Sequence, residues 1–389
     1  MNKNKICLIL KDNPDWTGGS QYIKNILFSF KYLKNKERRK LELHLISFEN
    51  PSSGNKLDKY CEYLHSYYLV KNPLIKSFLL NQKNNKLLEL IFTLIIIVKY
   101  QINFVFPFPN YLPFFGFRTA LWIPDLQHHY LDNLFSKEEL QFRDKKFRKI
   151  LNNSSTLVLS SNDCKKDINK FYGSYDKDIF ILNFRANLNK NWLKTDPINI
   201  LKKYNLPENF FLISNQFWKH KNHLLVLKAL DYLKNKKNIK PNIVLTGKLF
   251  FDKDDYGKEI IADIKKRELN NQIFILGLIP KKDQFLLMRK SISIIQPSLF
   301  EGWSTIVEES RSIGKVIILS DLAVHKEQRF SRSIFFKRNS YKDLSLKILY
   351  VLKKFKPGPE LIIENSFAKQ SKVLMYDFAK KFVLLSNLK

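Results

Sequence analysis

Short apolar runs alternate with longer helical patterns along the whole chain, and this alternation constrains the fold more than any other feature. Most of the runs are apolar at consecutive positions, which is typical of strands buried on both faces of a parallel sheet. Strand–helix repetition of this kind predicts a doubly wound α/β architecture. The predicted strands cover residues 6–10, 41–47, 102–106, 119–123, 157–160, 179–182, 210–214, 243–246, 273–276, 292–295, 316–319 and 334–336.

The alternation runs through the chain twice, which predicts two domains. A polar stretch rich in Asn and Lys, Arg185–Pro207, separates the two sets of strands and is interpreted as a linker. A chain of 389 residues is long enough for two such domains. We therefore expect Rossmann-like domains over residues 1–190 and 205–365, followed by a helical segment over 366–389.

The chain is strongly basic, with 67 Lys and Arg against 36 Asp and Glu and a formal net charge of +31. Such a charge favours a polyanionic partner: nucleic acid, an anionic membrane face or a phosphorylated substrate. A compositional bias towards Lys and Asn explains part of the excess equally well. Stacking recognition of nucleic acid needs basic residues clustered with aromatic ones on one element. Because the lysines are instead spread along the chain, we expect no nucleic-acid partner.

Cysteine usage and hydropathy indicate a reduced, cytoplasmic setting. The three cysteines, Cys7, Cys61 and Cys164, lie far apart without CxxC spacing, which argues against a disulfide framework or a zinc ribbon. The N-terminus contains no signal-peptide core of the usual length. The most apolar stretch, residues 87–98, falls short of the roughly 20 residues that a transmembrane helix needs.

A basic-aromatic stretch over residues 60–99 is a candidate membrane contact. Lys76, Lys83 and Lys86 lie among aromatic and apolar residues there, a mixture that suits the surface of an anionic bilayer. An ordinary helix, with its apolar side on the sheet and its lysines in solvent, explains the same pattern. Peripheral attachment to the inner face of the cell membrane is therefore one of two interpretations.

The clearest chemical pattern lies in residues 297–310. They carry two carboxylates, Glu301 and Glu309, with a turn at Gly302–Ser304 and with Thr305 as a suitable N-cap for the helix that follows. A helix start presents free backbone N–H groups that suit a phosphate or a sugar oxygen. One carboxylate in the loop and one in the helix can face the same ligand. An acidic start to a surface helix, favoured by the helix dipole, explains the spacing without a ligand.

The same segment resembles the E-x7-E motif of retaining glycosyltransferases with the two-domain GT-B architecture, particularly glycosyltransferase family 4. The resemblance includes the preceding Pro297–Phe300 and the following Ser312–Ile317. In that family the first Glu touches hydroxyls of the donor sugar and the second holds the nucleotide ribose, which implies these roles for Glu301 and Glu309. The family often has glycine at the position of Ser304, and this departure weakens any inference about the donor sugar.

A second candidate follows the strand at 210–214, where Lys219 and Lys221 precede a predicted helix. Lysine at a crevice mouth neutralises a diphosphate leaving group, whose charge grows in the transition state. The resemblance implies this role for Lys221, which matches a family lysine. The family's arginine falls on the uncharged Asn215 or Gln216, and Lys219 is expected to compensate. A basic helix start facing solvent also explains these residues.

Two loops of the first domain complete the candidate site. His128 follows a predicted strand and resembles the histidine of the family's acceptor-domain loop, although a structural histidine fits as well. Gly18 and Gly19 form a turn between the first strand and the first helix. This turn is not the G-x-G-x-x-G fingerprint, so NAD binding loses support. A glycine turn still suits an anion or a sugar, and the resemblance implies that it approaches the donor phosphate.

No metal and no cofactor are expected. The D-x-D pattern at Asp252 and Asp254 binds divalent metal in the other glycosyltransferase architecture, but here it lies in a polar connection and is interpreted as a helix-capping loop. No His or carboxylate spacing predicts a tetrahedral metal site. The nucleotide-diphosphate sugar is then a co-substrate.

The resemblance implies the GT-B fold: two facing Rossmann-like domains, an acceptor-side one and a nucleotide-sugar-binding one, with a C-terminal helix that crosses back to the first. It also implies a metal-independent, retaining hexosyltransferase that acts on a glycan or lipid-linked acceptor in surface polysaccharide or lipopolysaccharide synthesis. Two alternatives stay open: a nucleotide-sugar 2-epimerase of the same architecture, and a non-enzymatic basic protein that binds nucleic acid or membranes. The predicted catalytic residues are Glu301, Lys221 and His128. The predicted donor-binding residues are Glu309, Lys219, Gly302, Trp303, Ser304, Thr305, Gly18 and Gly19.

Overall fold

The computed structural model describes residues 3–10, 17–47, 66–69, 86–108, 116–153, 156–173, 178–249 and 255–388. The chain divides into two compact units. Unit 1 comprises Met1–Leu126, Lys137–Arg185 and Lys372–Lys389, and unit 2 comprises Gln127–Ser136 and Ala186–Ser371. The strands described in both units pair in parallel, so the predicted α/β class is confirmed.

Unit 1 contains two parallel sheets. Its strands are β1 (Asn4–Leu10), β2 (Leu41–Ser47), β3 (Ser66–Leu69), β4 (Phe104–Phe106), β5 (Arg118–Thr119), β6 (Leu121–Ile123), β7 (Thr156–Leu159) and β8 (Asp178–Ile181). One sheet has the order β3-β2-β1-β4-β5 and the other the order β6-β7-β8. The central strand β1 is almost wholly buried, which explains why its residues are apolar at consecutive positions.

The helices of unit 1 follow its strands. They are α1 (Thr17–Ser29), α2 (Asn35–Arg38), α3 (Lys86–Tyr100), α4 (Lys137–Asn153) and α5 (Asn162–Tyr172). One face of the larger sheet packs on α3 through a cluster that includes Cys7, Ile46 and Ile97. Burying an aliphatic side chain of this size contributes about 1.5–3 kcal/mol, so this cluster fixes the helix against the sheet.

Two details of unit 1 differ from the sequence-based expectation. The predicted strand 119–123 is two short strands that belong to different sheets, since β5 pairs with β4 while β6 pairs with β7. The buried Ala120 lies between them, and the chain changes sheets there. The edge strand β3 was not predicted.

Unit 2 contains one six-stranded parallel sheet. Its strands are β9 (Phe211–Ser214), β10 (Ile243–Thr246), β11 (Ile273–Gly277), β12 (Ser293–Gln296), β13 (Ile317–Ser320) and β14 (Ser333–Phe336), in the order β11-β10-β9-β12-β13-β14. Starting from β9, the chain adds β10 and then β11 on one side of the sheet, and β12, β13 and β14 on the other side. The order therefore reverses between β9 and β12, and ligands of open α/β sheets bind beyond the carboxyl ends of the strands at such a reversal.

Helices cover both faces of this sheet. They are α6 (Lys190–Leu193), α7 (Ile198–Tyr204), α8 (His223–Lys237), α9 (Tyr256–Lys266), α10 (Lys281–Lys290), α11 (Thr305–Ser312), α12 (Ala323–Glu327) and α13 (Tyr341–Lys354). Alternate residues of β9 belong to opposite cores: Ile213 packs towards α8, α9 and α13, and Leu212 packs towards α7, α10 and α11. This two-sided burial explains the unbroken apolar runs in the sequence.

The stretch interpreted as a linker contains the short helices α6 and α7, and a buried ion pair anchors it. Arg289 in α10 lies 3.0 Å from Glu364 and donates to the carbonyls of Trp192 and Thr195. Burial lowers the pKa of the neighbouring Lys315 to about 7, and its ammonium donates to the Arg289 carbonyl. The linker is therefore ordered by contacts within unit 2.

The last helix, α14 (Leu361–Leu385), runs from one unit into the other. Its residues up to Ser371 belong to unit 2, and those from Lys372 belong to unit 1, where Phe382 packs edge-on against Phe30 and Phe106. The predicted return of the C-terminal helix to the first domain is confirmed. Among the described residues, no helix combines the length and the apolar character that crossing a bilayer requires.

Candidate active site

Two loops of unit 2 meet at the sheet reversal. The loop after β9 forms a turn of 3-10 helix, Lys219–Lys221, and the loop after β12 carries Glu301. The backbone N–H of Leu299 donates to the His220 carbonyl at 2.7 Å, and the Asn222 side chain donates to the Pro297 carbonyl at 3.2 Å. These bonds hold the two loops side by side.

Glu301 is the centre of this arrangement. Its Oε1 accepts hydrogen bonds from Lys221 Nζ, Gln296 Nε2 and Ser298 Oγ, each at 2.7 Å. Burial alone raises the pKa of this carboxyl, but the charge of Lys221, with smaller effects of His325 and His220, more than offsets it and lowers the pKa to about 2. Glu301 is therefore a fixed anion at neutral pH, suited to accept hydrogen bonds from hydroxyl groups.

Two histidines border this carboxylate. Burial, together with the charge of Lys221, lowers the pKa of His220 to about 3, so this ring is neutral at physiological pH. His325 is fully buried, and its Nδ1 lies 2.9 Å from the Ser320 carbonyl. That carbonyl only accepts hydrogen bonds, so Nδ1 carries the proton. The hydroxyl of Ser320 donates to the Ser298 carbonyl and thereby holds the backbone of the Glu301 loop.

Glu309 lies in α11 and pairs with a lysine that the sequence analysis missed. Lys281 Nζ lies 2.5 Å from Glu309 Oε1. Lys281 opens α10, just after Pro280 and the carboxyl end of β11. The position after a strand was a usable signal, but the pairing across the sheet was not visible in the sequence.

The start of α11 differs from the expectation by one residue. Ser304, with extended backbone angles, is the N-cap, whereas Thr305 is already helical. The reason lies in the buried side chain of Gln328, whose Oε1 accepts from the Ser304 N–H at 2.9 Å and whose Nε2 donates to the Ser304 carbonyl at 3.1 Å. One N–H group of the predicted anion-binding turn is therefore already used within the protein.

The other predicted residues of this loop lie beside Glu301. Gly302 forms a bend, and the next residue, Trp303, is buried at 9% exposure. Lys219 is exposed on the same turn as Lys221. The structure thus brings Glu301, Lys221, Lys219, Gly302, Trp303, Ser304 and Thr305 together at the sheet reversal.

His128 belongs to a segment that groups with unit 2. It is buried in a turn of 3-10 helix, Gln127–His129. Two residues later, the Tyr130 ring lies 5.5 Å from the ring of Phe300, the residue directly before Glu301. This aromatic pair connects the His128 segment to the Glu301 loop.

Gly18 and Gly19 lie in unit 1, in the first turn of α1 rather than in a loop before it. Gly18 is exposed and Gly19 is buried. Their part in donor binding stays a prediction. Asp252 and Asp254 of the D-x-D pattern lie outside the described residues. Within the described ranges, His, Cys, Asp and Glu form no group of three or more that could hold a metal ion.

One glycine allows a close backbone approach at the loop after β9. A β-carbon on Gly247, at the end of β10, would lie 1.9 Å from the backbone oxygen of Asn215, and its φ of +142° favours glycine. The chain leaving β10 can therefore touch the backbone of the loop after β9. Because only 11 of the 389 residues are glycine, a glycine directly after a strand is a sequence signal for such a close approach.

Comparisons with known proteins agree with this geometry. Residues 198–367 match the family of glycosyl transferases group 1. A search of curated proteins finds no match. A crystal structure of a glycosyltransferase from Rickettsia africae is 17% identical, with 99% of this chain and 98% of that chain covered and a TM-score of 0.64.

Two further solved structures align over nearly the full length. Anabaena Alr3699/HepE, crystallised with UDP and glucose, is 13% identical, with 99% of this chain and 100% of that chain covered and a TM-score of 0.66. WaaG, a glycosyltransferase involved in lipopolysaccharide biosynthesis, is 11% identical, with 99% and 100% covered and a TM-score of 0.62. The chain has the GT-B fold. The predicted GT-B class is thus confirmed, and its group 1 domain supports a GT-B glycosyltransferase.

Proposed function

We propose that this protein transfers a sugar from a nucleotide-diphosphate sugar to a glycan or lipid-linked acceptor, with retention of the anomeric configuration. The observation that carries the proposal is the Glu301 carboxylate at the sheet reversal, held as an anion by Lys221, Gln296 and Ser298. The match of residues 198–367 to glycosyl transferases group 1 supports the same conclusion.

In this proposal the donor occupies unit 2. Lys221 has three N–H groups, and its bond to Glu301 uses one of them, which leaves others for the diphosphate. The exposed Lys219 adds a second positive charge. Glu309 binds the ribose, and Glu301 accepts hydrogen bonds from the sugar hydroxyls. The lysines stabilise the departing phosphate electrostatically, so no metal ion is required.

The reaction in this proposal breaks the bond between the anomeric carbon and the diphosphate oxygen, while the acceptor oxygen attacks from the same face. The departing phosphate takes the acceptor proton, so no enzyme base is needed. A carboxyl with a pKa near 2 cannot donate a proton at neutral pH, which leaves Glu301 a binding and electrostatic role. His128 orients the acceptor or the sugar.

The proposal extends to an anionic membrane surface, where lipid-linked acceptors of surface polysaccharide or lipopolysaccharide synthesis are found. The supporting observation is an apolar stripe on α3: Ile91, Ile95 and Val98 are 44%, 59% and 61% exposed. Their spacing places them on one face of the helix, opposite the buried Ile96 and Ile97. A helix with lysines alone on its outer side would not have this stripe. WaaG, with its lipopolysaccharide role, has the same fold.

The test begins with a thermal-shift screen of nucleotide-diphosphate sugars. A ligand present at a hundred times its Kd stabilises the folded state by about 2.7 kcal/mol, which is readily measured. The stabilising donor is then incubated with candidate acceptors, and NMR of the product reports its anomeric configuration. EDTA should not reduce the rate.

Three results would contradict the proposal. Interconversion of the donor sugar without an acceptor indicates the epimerase. An inverted product removes the retaining mechanism. Full activity of Glu301→Gln, compared with the exposed control Glu259→Gln, removes Glu301 from the site.

A further inference from the structure

Lys281 is not an ordinary surface lysine. Its Nζ donates to Glu309 Oε1 at 2.5 Å and to Gln284 Oε1 at 3.1 Å. Gln284 in turn donates to Ser214 Oγ at 2.6 Å, and Thr246 donates to the same hydroxyl at 2.9 Å. A chain of hydrogen bonds rooted at the carboxyl ends of β9 and β10 therefore holds the ammonium in place.

The pair of Lys281 and Glu309 has unused hydrogen-bonding capacity on both partners. An ammonium has three N–H groups, and within the described part of the chain two of them are engaged. Glu309 uses Oε1 for Lys281, and its Oε2 makes no hydrogen bond to a described residue. The side chains are 47% and 12% exposed, so a ligand can reach both from solvent. One donor and one acceptor thus lie next to each other at the proposed ribose position.

We propose that Lys281 and Glu309 together bind the cis-diol of the nucleotide ribose. One ribose hydroxyl donates to Glu309 Oε2, and the oxygen of the neighbouring hydroxyl accepts from Lys281 Nζ. The inference rests on the proposed function and adds to it a specificity-determining residue, because two adjacent hydroxyls satisfy the pair and one does not. A 2′-deoxyribose leaves one of the two groups without its partner, so the site selects ribonucleotides.

Two other roles for Lys281 make different predictions. If the ammonium merely blocks Glu309 until a ligand displaces it, removal of Lys281 would strengthen nucleotide binding. If it supplies only positive charge for the diphosphate, its removal would weaken ribonucleotides and deoxyribonucleotides equally. The hydroxyl preference therefore separates the three roles.

The experiment is isothermal titration calorimetry with UDP, CDP, ADP and GDP, with their 2′-deoxy counterparts, and with dTDP. The variants are Lys281→Met, Lys281→Arg and the matched control Lys282→Met, whose lysine is the next residue and is exposed. The wild type should prefer the ribonucleotide of its cognate base by about 10-fold, an effect of one hydrogen bond to a charged group. Lys281→Met should weaken ribonucleotide binding about 10-fold and abolish the preference, Lys281→Arg should restore part of it, and Lys282→Met should retain both.

Equal losses for both sugars in Lys281→Met, or tighter binding, would overturn the inference. Circular dichroism of Lys281→Met checks that the variant is folded, and Lys281→Arg gives the same comparison with the charge kept. If the wild type binds no nucleoside diphosphate of the panel, the proposed function itself is contradicted, which is a distinct result.

Discussion

Lys221 pairs with Glu301 in the structure and, in the proposed mechanism, also stabilises the departing diphosphate. Its ammonium lies 2.7 Å from Glu301, and the two side chains are 16% and 9% exposed. Removing one member of a buried pair leaves an uncompensated charge, which typically destabilises a protein by about 3–5 kcal/mol. Any measurement on a Lys221 variant therefore has to separate folding from catalysis.

A paired substitution makes that separation. Lys221→Met should lower the melting temperature and reduce kcat at saturating donor about 100-fold, since the leaving-group charge grows in the transition state. Lys221→Met combined with Glu301→Gln removes both charges and should recover most of the lost stability without recovering activity. Thermal denaturation and steady-state kinetics of the two variants provide the readout, with exposed Lys228→Met as control. Unchanged kcat in a folded Lys221→Met would refute the leaving-group role.

The sequence pointed to candidate residues that the structure places in contact, but not to the residues that hold them. Glu301 and Lys221 were found because each follows a strand and matches a family motif. Lys281 was not, because its pairing with Glu309 depends on the order of strands in the sheet and on the exact start of two helices. Gln328, which determines where α11 begins, lies 24 positions from Ser304 and carries no local pattern.

At the level of elements, the first residue of α8, His223, makes the stability of the fold depend on pH. His223 is buried, stacks on Phe217 with ring centres 4.7 Å apart, and finds no hydrogen-bond partner for either ring nitrogen among the described residues. Burial, with a smaller effect of Lys221, lowers its pKa from 6.5 to about 3. Below pH 6.5 the unfolded chain therefore binds a proton that the folded chain does not bind until about pH 3.

The unfolding free energy should consequently fall as the pH falls through this window. Each pH unit below 6.5 removes about 1.4 kcal/mol, so this histidine lowers stability by about 2 kcal/mol at pH 5 compared with pH 7. His223→Phe keeps the aromatic stack without a titrating group and should reduce that loss. Urea denaturation of both proteins at pH 7 and pH 5 tests this. If the wild type and His223→Phe lose the same unfolding free energy between pH 7 and pH 5, the prediction is wrong.

The same distinction between local and long-range information holds for the strands. The buried strands β9, β10 and β12 were predicted within one or two residues, because burial on both faces produces unbroken apolar runs. The edge strand β3 has one neighbour and escaped prediction. The division of residues 119–123 between β5 and β6 depends on which neighbouring strands they pair with, and a single sequence does not contain that information.

At the scale of the whole molecule, the net charge of +31 and the stripe on α3 make a joint prediction. The protein should sediment with vesicles that contain anionic lipid, but not with neutral ones, because each lysine near such a surface contributes about 1 kcal/mol. Release is expected as salt approaches about 0.5 M, where charges are screened over a few ångströms. The triple variant Ile91→Gln, Ile95→Gln, Val98→Gln should bind much more weakly.

A matched control keeps that test specific. Leu346 on α13 is 57% exposed and belongs to unit 2, so Leu346→Gln should bind vesicles like the wild type. Charge reversal at Lys76, Lys83 and Lys86 should abolish vesicle binding while leaving donor binding intact. Lys76 and Lys83 lie outside the described residues. If the wild type does not bind anionic vesicles at low salt, the net positive charge reflects compositional bias. An acceptor free in solution is then favoured.

A single substitution at Gly314 should destabilise the whole protein. A β-carbon there would lie 2.4 Å from the Phe367 ring and 2.8 Å from Ile363, and its φ of +63° disfavours other residues. Both contacts lie on α14, the helix that carries the chain from unit 2 into unit 1. Gly314→Ala should destabilise the protein by about 2–5 kcal/mol without touching the candidate site. It is thus a natural choice for a temperature-sensitive allele, whose growth and glycan defects at the restrictive temperature would report what the cell loses.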